Sequence, residues 1–114
     1  MAKKTPTVND NILRIVDTET DRLQMEIHVD DKPDWKHWQA FLEQNKSFRY
    51  VHTTPQGFKL SFTAVKEKRA NGPYWYAHKR VDGKLKRRYL GANRNLTAEK
   101  LKEIALSICQ ATLV

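Results

Sequence analysis

The chain has 114 residues and a formal net charge of +8, with 39% apolar and 30% charged residues. This composition predicts one folded domain with a modest core and excludes a disordered polar chain. The sequence has no long apolar run, which excludes a membrane span, and no second cysteine besides Cys109, which excludes an internal disulfide. Since it also shows no signal peptide, we expect a cytoplasmic protein.

The charge is divided unevenly along the chain. Residues 1–45 carry six Lys or Arg against nine Asp or Glu, whereas residues 46–114 carry fifteen against four. A basic part joined to an acidic part favours a polyanionic partner more strongly than uniform basicity does. We therefore expect a flexible tail over 1–10 and one domain over 11–114, which consists of an acidic part (11–45) and the basic part (46–114).

The acidic part is predicted to hold a hairpin followed by a short helix. Residues 12–16 are β-prone, and apolar and polar residues alternate over 23–29, as is typical of a half-buried strand. The acidic turn between them is expected to be a solvated loop. Residues 30–34 combine an aspartate cap with an early proline, so a helix begins there and ends near Asn45. Its apolar stripe is expected to face the core: Trp35, Trp38, Phe41 and Leu42.

The basic part is predicted to form an antiparallel sheet with a helix behind it. Residues 47–52 and 58–69 are predicted strands, separated by a cluster of turn-forming residues. Thr97 is a helix cap, and the helix that follows has a continuous apolar stripe: Leu101, Ile104, Ala105, Ile108 and Ala111. The fold class is therefore α+β: an antiparallel sheet of three or more strands braced by a C-terminal helix, with an N-terminal hairpin and a short helix.

Residues 73–91 are the most informative stretch of the chain. Two β-prone runs flank Asp82 and Gly83, a dipeptide that favours a two-residue type I′ turn because both positions need positive φ. A turn at these residues determines the register of the hairpin. It predicts five pairs: Val81 with Lys84, Arg80 with Leu85, His78 with Arg87, Tyr76 with Tyr89, and Trp75 with Leu90.

The alternation of side chains in a strand divides this hairpin into two faces. Near its open end one face is apolar, and we expect Trp75, Ala77 and Leu90 to point into the core. Toward the turn both faces are basic, which predicts that the tip projects beyond the core. The side chains expected to point outward and contact a ligand are Tyr74, Tyr76, Arg80, Arg87 and Tyr89.

Cations and aromatic rings on one ribbon predict a nucleic-acid surface. Bases stack on aromatic rings, and phosphates pair with Lys and Arg. The outward side chains are expected to make groove contacts, and most of the lysines to contact phosphates. The predicted site is Lys66, Lys68, Arg69, Tyr74, Tyr76, His78, Lys79, Arg80, Lys84, Lys86, Arg87, Arg88 and Tyr89.

The sequence has no pattern that indicates catalysis, a metal or a cofactor. Its four histidines form no paired metal-binding motif, and its glycines form no phosphate-binding loop. The acidic residues of the N-terminal part fall mainly in predicted turns, which explains them better than a two-metal nuclease site does. We therefore expect a non-enzymatic protein without catalytic residues, metal or cofactor.

The chain shows two resemblances to known families, and the first of them implies binding of DNA. The strand-strand-strand-helix order over about residues 57–112 resembles plant AP2-type domains and the arm-binding domains of phage and transposon integrases. In those families the sheet enters the major groove and the C-terminal helix packs behind it. Residues 47–105 also resemble a small module frequent in cyanobacterial proteins, found beside regulators and mobile-element proteins. The motifs that carry this second likeness are residues 62–69, 72–77, 83–85, 88–91 and 96–97.

Three partners remain open at this point. Duplex DNA is favoured by the architecture, and structured RNA is the alternative because exposed tyrosines also stack on unpaired bases. The third is a protein partner, with the chain acting as an adaptor in a nucleoprotein complex through its acidic part. The acidic part is also a candidate to fold over the basic sheet and mask it.

Overall fold

The computed structural model describes residues 6–16, 19–20, 22–70 and 72–109. Its strands are β1 (Thr7–Asn9), β2 (Ile12–Val16), β3 (Leu23–His28), β4 (Ser47–Thr53), β5 (Lys59–Arg69), β6 (Gly72–Val81) and β7 (Lys84–Gly91). Its helices are α1 (Lys32–Gln44), a short 3-10 turn (Asn93–Asn95) and α2 (Ala98–Cys109). The predictions made for residues 1–5, for the acidic turn at Asp17, Thr18 and Asp21, and for Ala111 fall outside the described residues.

The seven strands form one sheet in the order β3-β2-β1-β4-β5-β6-β7. Neighbouring strands are antiparallel except β1 and β4, which are parallel. This arrangement confirms the α+β class, the N-terminal hairpin and the C-terminal helix. No helix in the described ranges combines the length and apolarity that a bilayer crossing requires.

The expectation of a flexible tail over residues 1–10 is wrong for β1. Val8 is fully buried and pairs with Leu13 of β2 on one side and with Tyr50 of β4 on the other. Three residues are too short to show an alternating pattern, so the sequence contains no periodic signal for this strand. Because β1 joins β2 to β4, the acidic and basic parts of the chain share a single sheet.

Both helices pack on one side of the sheet, the inner face. Helix α2 contacts β4, β5, β6 and β7, and α1 contacts β3 and the 3-10 turn. The Trp38 ring of α1 lies edge-on to Phe48 of β4 with centroids 5.5 Å apart, and Phe48 contacts Trp75 of β6 at 5.2 Å. These three buried rings confirm that the tryptophan stripe of α1 faces the core. No described helix covers the opposite side of the sheet, the outer face.

The N-terminal cap of α1 differs from the expected one, whereas that of α2 agrees with it. Asp31 precedes α1, but within the described part of the chain its side chain makes no capping hydrogen bond. Asp30, expected at the start of α1, instead accepts a hydrogen bond from the backbone N–H of Ala98 at 2.9 Å and so caps α2. The hydroxyl of Thr97 caps α2 as predicted, because it accepts the N–H of Lys100 at 3.1 Å.

The predicted β6–β7 hairpin is present with one change of register. Asp82 and Gly83 both have positive φ, 51° and 79°, as a type I′ turn requires. The four predicted pairs nearest the turn are confirmed: Val81 with Lys84, Arg80 with Leu85, His78 with Arg87, and Tyr76 with Tyr89.

The fifth pair of the hairpin is wrong. The register shifts between Trp75 and Tyr76, so that Trp75 pairs with Gly91 and not with Leu90. A β-bulge of this kind adds a residue to one strand without disturbing the pairs nearer the turn. Trp75, Ala77 and Leu90 are nevertheless all buried, as predicted.

Candidate nucleic-acid interface

Three tyrosines form a cluster on the outer face of β6 and β7. The Tyr89 ring lies 5.4 Å from the Tyr76 ring and 6.0 Å from the Tyr74 ring, measured between centroids. Tyr89 is 52% exposed and the other two are half-buried. Alternation along the two strands brings these three side chains together, as the sequence predicted. We call them the tyrosine cluster.

Arg87 and His78 lie beside this cluster and share one acidic neighbour. Arg87 forms an ion pair with Glu67 of β5, and its guanidinium carbon is 4.1 Å from the centroid of the Tyr76 ring. Nε2 of His78 is 3.8 Å from the same Glu67 carboxylate oxygen, and this buried atom has no hydrogen-bond partner among the residues that the structure describes. The outer face therefore contains a carboxylate that the sequence analysis did not consider.

A groove of about 680 Å³ opens on the outer face next to His78. The pairing of β5 with β6 ends at Thr63 and His78, so the last three residues of β6 pair with β7 and separate from β5. Three basic side chains and three hydroxyls from β4, β5 and β6 line the space between: Arg49, Lys79, Arg80, Ser47, Ser61 and Thr63. Nζ of Lys79 is 3.3 Å from the Ser61 hydroxyl across the gap. We call this space the basic groove.

Lys66 does not lie on the outer face with the tyrosine cluster. It pairs with the buried Trp75, and its Nζ is 5.3 Å from the centroid of that ring on the inner side of the sheet. There the ammonium donates a hydrogen bond to the Glu43 carbonyl at 3.1 Å, near the C-terminus of α1. Burial lowers the pKa of Lys66, and the nearby Glu43 charge opposes that shift. Lys66 thus stabilises a helix end, a favourable position for a cation.

The remaining predicted cations are spread over both sides of the hairpin. Arg80 and Arg87 are on the outer side, whereas Lys84, Lys86 and Arg88 alternate to the other side near the tip. Most of these side chains are exposed and Lys86 is partly exposed. Two predicted residues lie at the far end of β5: Lys68 is exposed, and the side chain of Arg69 is outside the described part of the chain.

Sequence reasoning missed the basic side chain that β4 contributes. Arg49 lies between the buried Phe48 and Tyr50, so alternation alone places it on the outer face. That signal was in the sequence. What the sequence did not show is that β4 lies next to β5, which brings Arg49 to the same groove as Arg80.

The described residues contain no group of three or more His, Cys, Asp or Glu side chains arranged to hold a metal ion. The imidazoles instead have separate acidic neighbours. Nδ1 of His52 is 3.0 Å from Asp10, and Nδ1 of His37 is 3.7 Å from Asp34.

Comparison with known families identifies one similarity. Residues 59–102 match the model of a family described as a domain of unknown function, DUF6788. No curated protein and no solved structure matches the chain. The matched residues form β5, β6, β7, the 3-10 turn and the start of α2. They include the tyrosine cluster and the basic tip of the hairpin, whereas Arg49 precedes the match.

Proposed function

We propose that this protein binds nucleic acid through the outer face of β4–β7, with duplex DNA as its favoured partner and no catalytic step. The observation that carries the proposal is a sheet face, uncovered by any described helix, that presents the tyrosine cluster beside the basic residues of the hairpin. Aromatic rings accept bases and cations accept phosphates, so these groups together suit a nucleic acid.

The shape of the hairpin favours a duplex. Beyond His78, β6 is paired with β7 alone and forms a two-stranded ribbon with basic side chains on both sides. The major groove of B-DNA admits a two-stranded β-ribbon, and cations on both sides of such a ribbon would face the phosphates that flank the groove. The excess of fifteen basic over four acidic residues in 46–114 adds long-range attraction. Binding of this kind would associate the protein with the nucleoid.

The tyrosine cluster favours a second candidate, an RNA with unpaired bases. Tyr89 is 52% exposed on the outer face, and stacking of a base on a tyrosine ring contributes about 1–3 kcal/mol. Unpaired bases reach such rings more readily than paired bases in a helix do. The same sheet would then bind the ligand by stacking as well as by charge.

Fluorescence anisotropy with duplex DNA, single-stranded DNA and a structured RNA of equal length tests both candidates. We expect affinity for the duplex to fall roughly hundredfold between 50 and 200 mM salt if about four phosphates are neutralised. Arg80→Gln should weaken binding to all three ligands, whereas Lys36→Gln on the exposed side of α1 should not. If the partner is an RNA with unpaired bases, Tyr89→Ala should weaken binding of the ligands with unpaired bases more than binding of duplex DNA. Failure of all three ligands to bind, or binding that salt does not change, would overturn the proposal.

A further inference from the structure

The lining of the basic groove has an unusual chemical composition for the surface of this protein. Three side chains that line it are cationic, Arg49, Lys79 and Arg80, and no carboxylate of the described residues lines it. The remaining polar side chains are hydroxyls and the imidazole of His78. Hydroxyls and guanidinium groups donate hydrogen bonds to oxygen atoms, and the guanidinium fork matches phosphate oxygens. This set of groups suits a phosphate.

The sheet itself forms the groove. The backbones of β5 and β6 stop pairing at Thr63 and His78, so the backbone at Lys79 and Arg80 is separated from β5. The groove beside this separation has a volume of about 680 Å³. Arg49 reaches this space from the far side of β5, on β4. The cations thus come from two strands that are not neighbours, and they surround the space with no acidic residue of the described ranges between them.

The part of the outer face next to the groove, in contrast, contains a carboxylate. Glu67 lies there, paired with Arg87 above Tyr76. A carboxylate repels a phosphate, and the pairing removes much of the attraction that Arg87 would otherwise supply. A polyanion on this face therefore meets attraction at the basic groove and much less of it at the tyrosine cluster.

We propose that the basic groove is the phosphate-binding subsite of the outer face and that Arg49 holds a phosphodiester group there. This inference rests on the proposed function and adds the location of the phosphate. Tyr76 and Arg80 are four residues apart on β6, about 13 Å along a strand. That span equals about four base-pair steps of a duplex, so a phosphate in the groove places the tyrosine cluster over nucleotides further along the same ligand.

The test compares two arginines of the same face. Arg49→Gln removes a charge from the groove, and Arg14→Gln removes one from β2, where Arg14 lies 3.7 Å from Glu26 and outside the groove. We expect Arg49→Gln to reduce the slope of log affinity against log salt for duplex DNA by about 0.9, a loss of roughly eightfold at 0.1 M salt. Arg14→Gln should leave both quantities unchanged. Thermal unfolding by circular dichroism confirms that both variants are folded.

Inorganic pyrophosphate provides a second measurement, which does not require nucleic-acid binding. We expect it to shift the amide NMR signals of Ser47, Ser61 and Thr63 in the native chain and not in Arg49→Gln. If the native chain binds DNA but Arg49→Gln behaves like Arg14→Gln, the subsite inference is overturned and the proposed function stands. If no nucleic acid binds but pyrophosphate binds in an Arg49-dependent way, the proposed function is overturned and the anion site stands.

Discussion

Glu67 of β5 and Arg87 of β7 form an ion pair across the strand that lies between them. The same guanidinium lies over the Tyr76 ring at 4.1 Å, and Nε2 of His78 is 3.8 Å from the Glu67 carboxylate. One acidic side chain thus pairs with an arginine on the face that we propose as the nucleic-acid interface. From the sequence we expect Arg87 to contact the ligand, and the ion pair competes with that role.

Replacing this carboxylate should strengthen binding. In Glu67→Gln the arginine keeps a hydrogen-bond acceptor but loses its ion pair, so its charge becomes available to a phosphate. We expect affinity for duplex DNA at 0.1 M salt to rise roughly eightfold and the salt slope to steepen by about 0.9. Anisotropy titrations at four or more salt concentrations measure both quantities.

The matched control for this prediction is Glu26→Gln. Glu26 also faces an arginine, Arg14 at 3.7 Å, but at the other edge of the sheet. Equal gains in the two variants would show that net charge alone governs affinity. An unchanged salt slope in Glu67→Gln would contradict a role for Arg87 in phosphate contact.

The hairpin shows how much of this fold local sequence determines. A type I′ turn at Asp82 and Gly83 sets the register of the strands, and the alternation that follows separates Trp75 and Ala77 from the outward tyrosines. The bulge next to Trp75 was not predictable in this way. Beyond the bulge Trp75 pairs with Gly91, whose backbone lies against the side chain of Asn95 in the turn that follows the strand.

Features that depend on distant segments escaped the sequence analysis. β1 lies inside the sheet because β2 and β4 pair with it on either side, and neither neighbour is evident from three residues of strand. Lys66 looked like a phosphate contact because it is a lysine beside a basic hairpin. It lies instead on the inner side, which alternation from Phe62 and Ala64 already indicated in the sequence. What the sequence did not show is that α1 supplies a carbonyl for its ammonium group.

The indole of Trp38 should contribute strongly to stability. Its Nε1 donates a hydrogen bond to the Leu96 carbonyl at 2.7 Å in the core, and so joins α1 to the residues that precede α2. Trp38→Phe removes the donor and leaves that carbonyl without this partner, which should cost about 1–3 kcal/mol in addition to lost packing. Urea unfolding measures the change. Trp35→Phe, at a partly buried position of the same helix, is the control, and an equal loss in both variants would contradict the prediction.

Tyr50 should make the stability of the fold sensitive to high pH. Burial raises the pKa of its hydroxyl above the ordinary value near 10, and the charges of Asp10 and Asp30 add to that shift. Since the folded chain holds the proton more tightly, the contribution of Tyr50 to stability is complete below pH 10 and declines as the pH rises further. The free energy of unfolding should therefore fall more steeply with pH in the native chain than in Tyr50→Phe, by up to about 1.4 kcal/mol per pH unit above pH 10. Tyr89→Phe, at an exposed tyrosine, should keep the steeper native dependence.

Two glycines with similar backbone angles should differ in their tolerance of alanine. Gly72 has φ of 116° with open space where a Cβ would lie, whereas Gly91 has φ of 111° and its Cβ would lie 2.8 Å from Nδ2 and 3.1 Å from Cβ of Asn95. Gly72→Ala should cost about 1–2 kcal/mol through backbone strain alone. Gly91→Ala should cost at least about 1 kcal/mol more, because Asn95 must move and the turn that carries it leads to Leu96 and its bond with Trp38. Urea unfolding of both variants tests this order. The additional loss should shrink when Gly91→Ala is made in an Asn95→Gly background, and equal losses in the two single variants would show that the close contact is unimportant.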